Sequence, residues 1–310
     1  MPPLRIIFAG SGEFGLPALR AIREAGHVIV QVVSQPDRPA GRGRTLTPTP
    51  IAAFALAKGL PLLRTGNINA ETLPAADVMV VIAFGQKIGE VAVHHPRLGS
   101  INLHASLLPK YRGAAPINWA IIRGERTSGN SVIRLAPRMD AGAVLMQSTL
   151  EIGELETAGE LHDRLSADGG GTIPATLEML ASGHAVEREQ DESQATIAPK
   201  LSREVSKLDL TRSAVEIANR VRGMFPWPGC RVRVLDAAGS EIGRITLVRA
   251  RPHGAADAPI GTIDADGFIA TGSGRVEVVE LQPEGKRPMP LAAYRNGHRW
   301  DATCRVEPIA

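Results

Sequence analysis

Short apolar runs alternate with stretches of helical spacing through the first part of the chain. The runs at residues 4–9, 27–34, 77–83, 100–103 and 131–136 are rich in Val, Ile and Leu and stop at glycine, proline or polar residues. That is the pattern of strands buried on both faces. Between them, residues 17–24, 51–58, 88–94 and 116–123 carry the apolar spacing of one-sided helices. Such alternation predicts an α/β fold with a doubly wound, mostly parallel sheet. A further strand is expected at 143–152. Two helices are expected at 157–166 and 173–182, separated by Gly169-Gly170-Gly171.

After residue 186 the pattern changes. Residues 187–206 are polar, show no sustained apolar period and read as a linker. A helix at 212–224 is stopped by Phe225-Pro226-Trp227-Pro228-Gly229. Short alternating runs follow at 230–235, 242–249, 260–263, 267–270 and 275–281, with glycines between them. They predict a small, OB-like antiparallel β-barrel. The expected domains are therefore 1–186 and 207–310.

Composition narrows the class. With 310 residues, the chain is long enough for two buried cores. No apolar run approaches the ~20 residues of a membrane span. The N-terminus runs directly into a strand, and Cys230 and Cys304 are the only cysteines. A cytoplasmic monomer without a disulfide framework or a metal site is expected. Net charge is +3; residues 201–310 hold 16 Lys and Arg against 13 Asp and Glu, whereas residues 1–200 balance. The positive excess thus belongs to the predicted barrel, as suits a polyanionic partner.

Candidate chemistry gathers around residues 100–116. Asn102 and His104 are two apart on a predicted strand, so they share a face near its carboxyl end. In open α/β sheets, ligands bind outside that end. Asp140 follows the next predicted strand. An amide, an imidazole and a carboxylate at one rim are parts for acyl transfer: an oxyanion donor, a proton carrier and a group that orients the carrier. Gly10-Ser11-Gly12-Glu13-Phe14-Gly15 matches a dinucleotide fingerprint, with Asp37 near the position of the ribose-binding acid. We read it as a structural turn, because Asp37 lies in a loop beyond the strand end. Ser106 lacks the Gly-x-Ser-x-Gly elbow of a hydrolase nucleophile.

Asn102-Leu103-His104-Ala105-Ser106-Leu107-Leu108-Pro109 followed by Arg112-Gly113-Ala114-Ala115-Pro116 resembles the signature of the folate-dependent formyltransferase family. Three further stretches resemble the tRNA-using branch of that family: Gln35-Pro36-Asp37-Arg38-Pro39-Ala40-Gly41-Arg42-Gly43, Pro226-Trp227-Pro228-Gly229, and the run from Leu281 to Met289. The resemblance implies a Rossmann-like formyltransferase domain followed by a tRNA-binding barrel. It implies Asn102, His104 and Asp140 as the catalytic trio, with Asp140 fixing the His104 tautomer. It places Phe84, Gly85, Gln86, Ser106, Leu107, Leu108 and Pro109 at the folate, and Arg38, Arg42 and Arg44 at the acceptor end of tRNA. The implied reaction moves a formyl group from 10-formyltetrahydrofolate to the methionyl amine of initiator tRNA, with no metal, DNA or membrane involved. The alternative acceptor is another amine, such as a nucleotide-linked amino sugar or glycinamide ribonucleotide. The chain departs from the family pattern at Phe84, Ala141 and Gly12, where Tyr, Thr and Pro are common.

Overall fold

The apolar runs of the first part fold into one seven-stranded sheet in the computed structural model, which describes residues 3–40, 43, 45–255 and 258–309. Its strands are β1 (Arg5–Gly10), β2 (Val28–Ser34), β3 (Leu62–Arg64), β4 (Val78–Ile82), β5 (Ser100–His104), β6 (Thr127–Arg134) and β7 (Val144–Glu151). Their spatial order is β7-β6-β5-β4-β1-β2-β3. The pairs β1–β2, β1–β4, β2–β3 and β4–β5 are parallel, and β5–β6 is antiparallel. Ile6, Ile7, Phe8 and Ala9 of β1, and Val78, Met79 and Val80 of β4, are wholly buried, as the unbroken apolar runs require.

This order sets the position of the site. From β1 the chain runs outward through β2 to β3, then returns to β4 on the other side of β1. The strand order therefore reverses between β1 and β4, a switch point of the kind outside whose carboxyl ends ligands bind in open α/β sheets. The amides of Ser11 and Gly12 donate to the Ala83 carbonyl there, at 3.3 and 3.4 Å. A Cβ on Gly10 would stand 2.9 Å from the Ile82 carbonyl oxygen, so close backbone packing accounts for the first glycine of the fingerprint.

The chain divides into two compact units, residues 1–113, 129–150 and 162–197 in one and 114–128, 151–161 and 198–310 in the other. In the second unit a helix, Ala214–Met224, begins with a capping box in which Ser213 and Glu216 satisfy each other's backbone amides. It packs on an antiparallel sheet of β8 (Cys230–Leu235), β9 (Glu241–His253), β10 (Ile269–Ala270), β11 (Arg275–Pro283), β12 (Met289–Pro290) and β13 (Arg305–Ile309). The order is β10-β11-β9-β8-β13, with β12 on β11. Residues 261–263 stitch the two edges together: Ala270 donates to Thr262, and Val306 donates to Gly261. The result is a nearly closed small barrel around Ile217, Val221, Val232, Leu247, Val278 and Trp300.

Several elements differ from the sequence reading, two of them over long stretches. The helices expected at 157–166 and 173–182 are one helix, Ala158–Ser182. Each of its three consecutive glycines costs about 1 kcal/mol of helix propensity, but tertiary packing overrides that. A Cβ on Gly169 would come within 2.6 Å of Leu103, and one on Gly170 within 3.4 Å of Pro17, so small residues let the helix lie close to β5 and the helix Leu16–Glu24. The stretch read as a linker, 187–206, contains a 3₁₀ turn at Glu192–Gln194, a short strand at Ile197–Ala198 and a helical turn at Arg203–Ser206. No helix among the described residues is long and apolar enough to cross a membrane.

Candidate active site

Asn102 and His104 occupy the carboxyl half of β5. His104 is 7% exposed. Its Nε2 lies 2.9 Å from the Tyr111 carbonyl oxygen. A carbonyl can only accept, so Nε2 carries a proton and Nδ1 of the neutral ring is left with its lone pair. Nδ1 stands 3.7 Å from Asp140 Oδ2, whose side chain is 16% exposed. That separation is too long for a hydrogen bond but short for an ion pair once the ring is protonated. The tautomer is thus fixed by Tyr111 rather than by Asp140, contrary to the sequence expectation. Asp140 Oδ2 is itself held by the Gly113 amide, which donates to it at 2.8 Å.

Asn102 donates one Nδ2 proton to the Val81 carbonyl across the β4–β5 pair, at 2.9 Å. Its Oδ1 is buried and has no hydrogen-bond partner among the described residues. The bond to Val81 uses one of the two Nδ2 protons.

The residues expected at the folate divide into two groups. Phe84 is 2% exposed, with its ring in the core beside Ile7, Val33 and Met79. Its carbonyl, not its ring, is the exchange point between loops, because Ser11 Oγ and Gln35 Nε2 both donate to it. Gln86 is spent on the neighbouring loop, donating to the Thr65 carbonyl at 2.7 Å and accepting from the Ile68 amide at 2.9 Å. A wall made here is made of backbone, with Gly85 exposed and left-handed at φ 76°. Ser106 Oγ donates to the Lys110 carbonyl and so closes its own turn. Leu108 is buried with Ile133 and Val144, and its amide donates to Ser131 Oγ. Leu107 and Pro109 remain half-buried.

Arg38 begins a short strand, Arg38–Ala40, paired antiparallel with Thr45–Thr47, and donates to Gln35 Oε1. Arg42 and Arg44 lie outside the described residues. No group of three or more metal-ligating side chains occurs among those described.

One network had no sequence signal. Arg112, 4% exposed, donates from Nε and Nη2 to Gln190 Oε1 and from Nη1 and Nη2 to Glu192. Hydrogen bonds from Arg112 and then Arg138 pull the Glu192 carboxyl down to about 2. Arg112 was visible only as part of a motif, and its partners lie in the stretch read as linker.

Two family models match the chain: formyl transferase over residues 4–177 and formyl transferase, C-terminal domain, over residues 200–299. The methionyl-tRNA formyltransferase of Geobacter sulfurreducens is 39% identical over 99% of this chain and 98% of its own length. That of Moorella thermoacetica is 38% identical over 95% of this chain and 96% of its own. Among solved structures, the N-formyltransferase of Helicobacter canadensis, crystallised with folinic acid and dTDP-3-aminofucose, shares the fold at a TM-score of 0.66. It is 14% identical and covers 90% of this chain and 98% of its own. Two family models that together span nearly the whole chain, and full-length similarity near 39%, agree with the mostly parallel sheet and small barrel: the chain belongs to the methionyl-tRNA formyltransferases of the formyl transferase family.

Proposed function

We propose that this protein transfers the formyl group of 10-formyltetrahydrofolate to the amino group of methionyl-initiator tRNA, in the cytoplasm, for translation initiation. The observation that carries the reading is full-length similarity to methionyl-tRNA formyltransferases, joined to a His104–Asp140 pair at 3.7 Å.

The reaction forms a bond between the amine nitrogen and the formyl carbon and breaks the bond from that carbon to N10. The amine loses a proton and N10 gains one. A neutral amine is already a nucleophile, so no covalent enzyme intermediate is needed. His104 Nδ1, its lone pair free because Nε2 is committed to Tyr111, takes the proton and returns it to the leaving nitrogen. Asp140 stabilises the imidazolium between the two transfers. Asn102 donates its free Nδ2 proton to the oxyanion on the formyl oxygen; one such donor is typically worth about 2.7–4 kcal/mol of barrier. The donor lies against the loops at 84–86 and 106–109, held by backbone groups and the half-buried Leu107 and Pro109. Arg38, Arg42 and Arg44 meet the phosphates of the acceptor end, and that contact weakens as salt rises.

The test is an assay of the purified protein with 10-formyltetrahydrofolate and charged methionyl-tRNA, initiator against elongator, scoring formylmethionine after mild hydrolysis of the ester. Selective formylation of the initiator is expected. Formylation of a nucleotide amino sugar or glycinamide ribonucleotide, with neither tRNA used, would replace this reading.

A further inference from the structure

We infer that Gln190 is a positioning residue for formyl transfer, acting through Asp140. The inference rests on the function proposed above. Asp140 is held in the left-handed region at φ 54°, a conformation that an ordinary residue adopts only with support from its surroundings. Gln190 supplies it. Its Nε2 donates to the Asp140 carbonyl and to the Gly142 carbonyl, each at 2.8 Å. Its Oε1 accepts from Arg112 Nε at 3.1 Å and Nη2 at 2.7 Å. All four hydrogen-bonding positions of the amide are filled. A flipped amide would turn its NH₂ to a guanidinium and its oxygen to two carbonyls, so the orientation is locked.

The same segment reaches the other member of the pair. Arg188 exchanges backbone hydrogen bonds with Val144 at one end of the strap. At the other, Thr196 Oγ1 accepts from the Tyr111 amide and the Thr196 carbonyl accepts from the Arg112 amide, both at 2.9 Å. Tyr111 is the residue whose carbonyl takes the His104 Nε2 proton. Residues 188–196 therefore fasten the backbone that orients the imidazole and the backbone that carries the carboxylate. The strap sets the separation of the pair without touching either reacting side chain.

The experiment is a double-mutant cycle on single-turnover transfer at saturating donor and methionyl-tRNA, with wild type, Gln190→Ala, Asp140→Asn and the double variant. Gln190→Ala is expected to slow transfer by about 10- to 100-fold, the usual cost of loosening a site from behind, with KM for the donor within about twofold. In the Asp140→Asn background the same change should cost less than about twofold, because it acts through the lost carboxylate. An equal penalty in both backgrounds, or a rise in KM with kcat unchanged, overturns the inference. Gln190→Met, nearly isosteric and unable to donate, repeats the test should the alanine variant fail to fold. Were both variants unfolded at the assay temperature, Gln190 would be a folding determinant and the positioning role would be rejected. A wild-type protein inactive with methionyl-tRNA, or an unimpaired Asp140→Asn, removes the underlying reading instead, and the cycle separates these cases.

Discussion

Replacing Asp140 with Asn isolates the electrostatic part of the mechanism. The amide keeps the side-chain volume and can still accept from the Gly113 amide, now 2.8 Å from Oδ2, so the loop is expected to stay in place. What disappears is the negative charge 3.7 Å from His104 Nδ1. Two unit charges near 4 Å attract by about 4 kcal/mol at the effective dielectric of a partly buried site. The imidazole and the carboxylate are 7% and 16% exposed, so water does little to replace the missing charge. The attraction exists only while the ring is protonated, during transfer, so its loss falls on the transition state and not on substrate binding. A barrier higher by about 4 kcal/mol slows the step by about 10³-fold. Single-turnover formylation, with donor affinity measured separately, reads both quantities. A transfer rate within about threefold of wild type would refute the reasoning, as would a loss confined to KM.

Other outcomes follow from packing and charge. A Cβ on Gly129 would lie 1.9 Å from the Ser148 carbonyl oxygen and 2.7 Å from Leu107, so Gly129→Ala must move a strand. It should destabilise by about 3 kcal/mol and lower Tm by several degrees; an unchanged melt would show that the strands can part freely. Glu160 is held down to about 2, first by its hydrogen bonds from Arg249. A carboxylate depressed in the folded state stabilises above its unfolded value and loses that contribution as pH falls toward its folded one. The stability gap between wild type and Glu160→Gln should therefore be full at neutral pH and close between about 4.3 and 2; a gap independent of pH in denaturant titrations would contradict the pairing.

Much of the sheet was legible because buried parallel strands leave unbroken apolar runs, as at Val78–Ile82. The strand Leu62–Arg64 is only three residues long and left no such trace. The helix Ala158–Ser182 was misread because three consecutive glycines look like a break, and only the fold reveals that Leu103 and Pro17 need that space. At the site, spacing on one strand selected Asn102 and His104, and the loop after the next strand supplied Asp140. Side-chain direction was invisible: Phe84 turned out to face the core and Gln86 to brace a neighbouring loop. Gln190 could not be found from pattern, since a polar residue in a polar stretch acquires meaning only from the two carbonyls and the guanidinium around it.

The imidazole of His104 is the one group in this account that handles both protons. Single-turnover formylation of methionyl-initiator tRNA by His104→Ala, alongside equilibrium binding of a folate analogue, tests it most directly. Transfer slowed by about 10³-fold or more, with folate affinity preserved, is expected, since general acid–base catalysis and the stabilised cation are both lost. Transfer near the wild-type rate in that variant would contradict it.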